Sequence, residues 1–125
     1  MRRILKYGLV FFYIIAGINH FINPEFYEGL IPDYLPYPDF LNYLSGFLEL
    51  GLGVLVLFPD TQKWACYGII LLLILLMPSH VYFIEIGSCV ENSLCIAPWV
   101  SWVRLIVIHP LLMFWAWKVA HQPTE

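Results

Sequence analysis

Apolar residues along this chain fall into four long blocks, at about 4 to 22, 40 to 58, 64 to 84 and 98 to 118. Each is on the order of 20 residues, the length a helix needs to cross the hydrocarbon core of a bilayer. The runs are continuous, without the alternation of a strand. In hydrocarbon only helices and closed barrels satisfy every backbone group. The pattern therefore predicts an all-α integral membrane four-helix bundle, a single domain over residues 1–125.

Polar and proline residues punctuate these blocks. After the first block, Asn23 suits an N-cap, Pro24 a first helical position, and Glu25 the positive end of a helix dipole. NPEFYEGL is therefore expected as a short interfacial helix between the first and second spans. Its aromatics, with those of IPDYLPYPDF, match the aromatic belt where lipid meets water, and the prolines prevent a longer helix. In the turn FPDTQK, Asp60 or Thr61 can cap the third span. Pro78 is expected to kink that span near its far end, and Pro110 falls inside the fourth. EIGSCVENSLC forms a polar connection, and the tail AHQPTE has nothing to fold; no internal repeat is evident.

Composition supports the bilayer reading. The chain is 61% hydrophobic, 18% aromatic and only 12% charged, against roughly a quarter charged in soluble domains. Its net charge of -3 says less than the placement of the charges. Arg2, Arg3, Lys6, Lys63 and Lys118 fall at one end of the spans, and Glu25, Glu28, Asp33, Asp39, Glu85 and Glu91 at the other. By the positive-inside rule the basic end is cytoplasmic, which predicts a multi-pass plasma-membrane protein with N- and C-termini in the cytoplasm. No basic stripe points to nucleic acid. The start of the chain does not read as a cleaved signal peptide, because its apolar run is long and lacks a small-residue cleavage site.

Four polar side chains lie inside the apolar blocks: His20, Glu49, His80 and Arg104. Counted at about 1.5 Å per residue, they lie roughly 4, 14, 6 and 9 Å from the outer ends of their spans. Tyr13, Ala16, Gly17 and His20 share one helical face, as do Ser45, Gly46, Glu49 and Gly53, where small residues let a neighbour approach. Met77 pairs with His80 on the third span, and Ser101 and Ile108 with Arg104 on the fourth. An isolated charge at mid-membrane costs at least about 2.5 to 3.5 kcal/mol, so Glu49 and Arg104 are expected to be partners in a bidentate contact. The pair either orients the helices, with Arg104 free to snorkel, or lines an outward-facing polar pocket together with the two histidines.

Such a pocket suits proton-coupled redox chemistry of a quinone, or capture of a small anion. Zinc is disfavoured, because no HxxxH or Cys-rich spacing is present and Arg104 would oppose a cation. His109 is expected roughly 140° round the helix from Arg104, hydrogen-bonded at another packing contact. Cys89 and Cys95 sit on the expected outer side, where a disulfide can close a small loop; a redox-active dithiol and two free thiols stay open as alternatives. Cys66, near the basic end, is expected to pack.

AGINHFINPEFYEGLIPDYLP, followed by YLSGFLELGLGVLVLFPDTQKWACYGIILLLILLMPSHVYF and WVRLIVIHPLLMFWAW, resembles the DoxX-like family of small four-helix membrane proteins. The likeness rests on G-x-x-H-F-x-x-P closing the first helix, E-x-x-L-G-L-G-like spacing in the second, M-P-x-x-x-Y in the third and W-x-R-L opening the fourth. Relatives in that family include a membrane subunit of an archaeal thiosulfate:quinone oxidoreductase and MauE, associated with methylamine dehydrogenase maturation. The resemblance implies a four-helix bundle, permits quinone-linked redox work and maps polar positions onto His20, Glu49 and Arg104. The leading expectation is a quinone-linked redox subunit, with a membrane redox partner or a second copy as its associate. The alternatives are a non-catalytic assembly factor or chaperone, and a small-solute transporter.

Overall fold

A computed structural model describes residues 1–91 and 93–124. Asn92, within the CVENSLC connection, and Glu125, at the end of the tail, lie outside the described residues. The chain runs α1 (Arg2–Ile22), α2 (Pro24–Glu28), α3 (Pro38–Val56), α4 (Gln62–Glu85) and α5 (Pro98–Ala120). Among the described residues α1, α3, α4 and α5 are long and apolar enough to cross a membrane. The short α2 lies between α1 and α3, where NPEFYEGL was expected to form a helix.

The helix ends move by a turn or less, for local reasons. Tyr37 takes a left-handed backbone (φ 56°), which lets Pro38 open α3 at its first position rather than near residue 40. At the other end Leu57 and Phe58 form short turn bonds to Val54 and Leu55, and the Thr61 hydroxyl donates to Leu55 O at 2.6 Å. That closes α3 at Val56. Thr61 occupies the N-cap of α4, yet its hydroxyl points back across the turn and makes no cap bond. Asn23 likewise sits at the N-cap of α2 while its amide donates to Asn19 Oδ1 at 2.7 Å.

α1 packs most extensively on α3, and α4 on α5; α3 meets α4, and the seam between α1 and α5 is the sparsest. The α1–α3 contact is close because both helices present glycine. A Cβ on Gly17 would lie 2.7 Å from Leu50 N, and one on Gly46 would lie 2.5 Å from His20 Cβ. Backbone thus meets backbone, as small-residue interfaces permit. The apolar core fills the basic half, around Leu9, Tyr13, Val56, Cys66, Ile69 and Val119. Two side chains tie that half together: Gln62 Nε2 donates to Val119 O at 3.0 Å and Trp115 Nε1 to Leu5 O at 2.9 Å. Large apolar side chains such as Phe11, Trp64, Leu75, Ile106 and Leu111 are exposed outward, as befits helices solvated by lipid.

At the acidic end a roof closes the bundle. Cys89 and Cys95 are joined by a disulfide. Within that small loop Val90 sits against Gly29, where a Cβ would come 2.5 Å from Val90 Cγ1, and Ser93 Oγ donates to Phe26 O at 2.7 Å. From α4, Ser79 Oγ donates to Leu30 O at 2.6 Å. The segment after α2 is therefore held from two directions. Cys66 is buried in the core as a free thiol.

Substituting Gly46→Ala should lower stability by about 1–3 kcal/mol, the usual cost of forcing volume into a packed contact. Gly51→Ala meets nothing within 4 Å and should be neutral or slightly stabilising. Thermal unfolding of both variants in the same detergent checks the contrast, and equal midpoints would refute the close α1–α3 contact.

Candidate functional site

His20 sits in the last turn of α1 and faces the opening turns of α3. Its Nδ1 lies 2.7 Å from Asn42 Oδ1, while Asn42 Nδ2 donates to His20 O at 3.0 Å. Because the amide nitrogen is engaged as donor, Oδ1 is the acceptor and Nδ1 carries the imidazole proton. That leaves Nε2 toward Glu49, whose Oε2 lies 3.3 Å away. The distance is that of an ion pair, although the alignment is not that of a hydrogen bond, and Oε2 has no hydrogen-bond partner. Both residues are buried, His20 at 7% and Glu49 at 6% exposure. The imidazole nitrogen and the carboxylate oxygen thus face one another across the α1–α3 contact.

Above the imidazole, the Tyr27 ring of α2 stacks at 3.8 Å with an interplanar angle of 20°. Asn19 Nδ2 donates to the Tyr27 hydroxyl at 2.5 Å. Burial, above all, raises the Tyr27 hydroxyl pKa beyond its ordinary value. The roof therefore reaches down to the site through one aromatic ring.

The expected bidentate contact between Glu49 and Arg104 is not formed. Glu49 pairs with His20 on the neighbouring helix, because the Gly17–Gly46 contact draws α1 onto α3 and Asn42 fixes the imidazole there. Arg104, on α5, lays its guanidinium over the Phe83 ring at 5.4 Å, and its buried Nη1 has no hydrogen-bond partner. The two charges line the same cavity without meeting.

α5 is not a plain α-helix. Residues Arg104–Ile108 form a π turn, with the His109 N–H bonded to Arg104 O. Pro110 follows at once; its ring would clash with the carbonyl one α turn back, and the wider turn avoids that. Residues five apart become hydrogen-bonded neighbours there, so His109 shares a face with Arg104 instead of lying 140° away. His109 is hydrogen-bonded as expected, Nε2 donating to Leu73 O at 2.5 Å. It does so inside the site, however, with its ring edge-on to His80 at 4.7 Å.

The result is one cavity with two lobes. The larger, about 450 Å³, lies beneath the roof segment between α3 and α4; the inner lobe, about 230 Å³, reaches Tyr13 and His109. His20, Glu49, His80 and Arg104 line both lobes, as does Tyr27. The volume of the larger lobe falls within the range of small-molecule sites. Three buried polar atoms of residues lining the inner lobe, Glu49 Oε2, Arg104 Nη1 and Tyr13 OH, lack hydrogen-bond partners. One is an acceptor, one a donor and one can act as either, a set suited to a small polar group. Among the described residues no cluster of three or more His, Cys, Asp or Glu side chains could hold a metal ion.

Asn42 and Tyr27 had not been picked out from the sequence. Asn42 lies seven residues before Glu49, on the face already marked by Gly46 and Gly53, so helical spacing could have found it. Tyr27 carries no such signal, because its role depends on how α2 folds back over α1.

Fold and cavity together define a helical bundle with a buried polar site, in which, among the described residues, four helices are long and apolar enough to cross a membrane. The chain belongs to the family described as Domain of unknown function (DUF8561), whose model matches residues 9–120. No curated protein and no solved structure matches it.

At the rim, Glu28 faces Asp39, and the hydrogen bond between the two carboxyl groups raises the Glu28 pKa above its ordinary value, with further repulsion from Glu25. Protonation of Glu28 therefore favours the folded rim at low pH, and this contribution is lost as pH rises through its raised pKa. An NMR titration should find Glu28 titrating above a free glutamate, and Asp39→Asn should bring it back down.

Double-mutant cycles test the pairing. His20→Ala with Glu49→Gln should show a coupling of about 0.5–3 kcal/mol, as contacting residues do. Glu49→Gln with Arg104→Met should be closer to additive. A larger coupling for the second pair would restore the Glu49–Arg104 contact.

Proposed function

We propose that this protein is a plasma-membrane quinone-binding subunit of DoxX-like type, its acidic end and cavity facing outward and both termini in the cytoplasm. The charge segregation along the sequence supports the orientation, and the DoxX-like motifs support the class. The observation that carries the reading is the convergence of a protonatable His20–Glu49 pair and an unpartnered Arg104 donor on one largely apolar cavity.

A quinone headgroup fits that set of residues, since it is a flat apolar ring with two carbonyl oxygens that accept hydrogen bonds. When bound, it supplies the capacity to take up two electrons and two protons. Leu41, Leu75 and Leu76 offer apolar walls for such a ring. Arg104 Nη1 is free to donate to one carbonyl, and His80, also on the cavity wall, lies beside it. His20 presents Nε2 from the opposite helix pair and can release the proton it shares with Glu49. Asn42 keeps the imidazole oriented while that proton moves, and Tyr27 covers it from water. Electrons come from a redox protein in the same membrane, the partner that this reading requires.

Purification with native lipid, followed by quinone extraction and binding of a tail-less dimethoxybenzoquinone, tests the reading. Glu49→Gln and Arg104→Met should each weaken binding by about tenfold or more, the loss expected of one charge-assisted hydrogen bond. Absence of extractable quinone, together with unchanged binding in both variants, would contradict it.

A further inference from the structure

The inner lobe of the cavity has a neighbour on the lipid-facing side. A groove of about 370 Å³ runs along the seam between α1 and α5, walled by Gly8, Phe11, Phe12, Ile15, Ala16 and Trp115. It spans about 16 Å along α1, counted from Gly8 to Asn19 at helical rise. Phe12 and Ala16 belong to the walls of both the groove and the inner lobe. The groove thus lies one side-chain layer from the polar site.

Three features favour this seam as a passage. It is the sparsest contact between long helices in the bundle. Its basic end is closed by Trp115, which donates to Leu5 O at 2.9 Å and packs beneath Phe12 with ring centroids 5.9 Å apart. Toward the acidic end no comparable tie is present among the described residues, and Asn19 is the groove's lone polar wall residue. At the closed end Gly8 lets Trp115 lie close against α1, since a Cβ there would come 3.1 Å from Trp115 Cζ2.

From this placement we infer that the ligand of the polar cavity is membrane-borne: its headgroup enters sideways between α1 and α5, and its apolar tail lies in the groove beside Phe11, Ile15 and Trp115. The inference rests on the quinone reading above and narrows it to tailed, lipid-soluble quinones. A free acyl chain gains little by leaving lipid for an apolar groove, since both surroundings are equally apolar. A tail tethered to a bound headgroup is different, because the tether holds it at high local concentration.

Photolabelling in nanodiscs tests this, using a decyl-tailed benzoquinone that carries a diazirine in its tail. Label mapped by mass spectrometry should fall on Phe11, Ile15 or Trp115 at least about tenfold above Leu71 and Ile74 of α4, which are exposed and line neither cavity nor groove, as tethering predicts. Unlabelled tailed quinone should abolish it. If tail-less dimethoxybenzoquinone binds yet the label spreads evenly over the lipid-facing helices, this inference fails and the quinone reading survives. Equal labelling of the groove by a diazirine phospholipid would also overturn it, marking a general lipid site. Failure of the tail-less probe to bind overturns both.

Discussion

Asn42 grips His20 by two edges at once, accepting from the imidazole and donating to the backbone carbonyl of the same residue. Most of the site follows from that clamp. It fixes which nitrogen of His20 carries the proton, turns the other toward Glu49 and offers the ring face to Tyr27. A polar side chain in a low-dielectric interior is costly unless its hydrogen bonds are made, and Asn42, at 1% exposure, makes them within a single residue pair. The clamp exists because Gly17 and Gly46 let α1 and α3 approach until their backbones touch.

The opposite wall is organised differently. Prolines 78 and 110 lie inside α4 and α5, where each removes a backbone donor. In α5 the helix answers with a π turn that brings Arg104 and His109 onto one face, and His109 reaches across to the Leu73 carbonyl of α4. One wall is therefore clamped by the paired His20–Asn42 hydrogen bonds, whereas the other carries a guanidinium with a spare donor. This asymmetry leaves room for a ligand between them. A direct Glu49–Arg104 bridge would have filled the space and neutralised both groups.

Much of the fold was legible in the sequence, because four uninterrupted apolar runs admit few alternatives and charges mark their ends. Boundaries shifted where a single backbone choice intervened, as at Tyr37 and Thr61. The level of the site was legible too: His20, Glu49, His80 and Arg104 line one cavity. The pairing among them was not. Opposite charge pointed from Glu49 to Arg104, but proximity follows helix packing, and glycine contacts between α1 and α3 decided it for His20. His109 was misplaced for another reason, since a count at 100° per residue cannot anticipate a π turn. Tyr27 belongs to the site through the folding back of α2, which no periodicity encodes.

A direct contact between His20 and Glu49 inside the helical bundle is the claim on which the site reading stands. The most direct measurement is solid-state NMR dipolar recoupling in lipid bilayers, between 15N at His20 Nε2 and 13C at the Glu49 carboxyl carbon. Strong recoupling, consistent with the 3.3 Å nitrogen–oxygen separation, is the predicted result. Loss of that coupling, with the Glu49 carboxyl instead recoupled to the Arg104 guanidinium, would contradict the account.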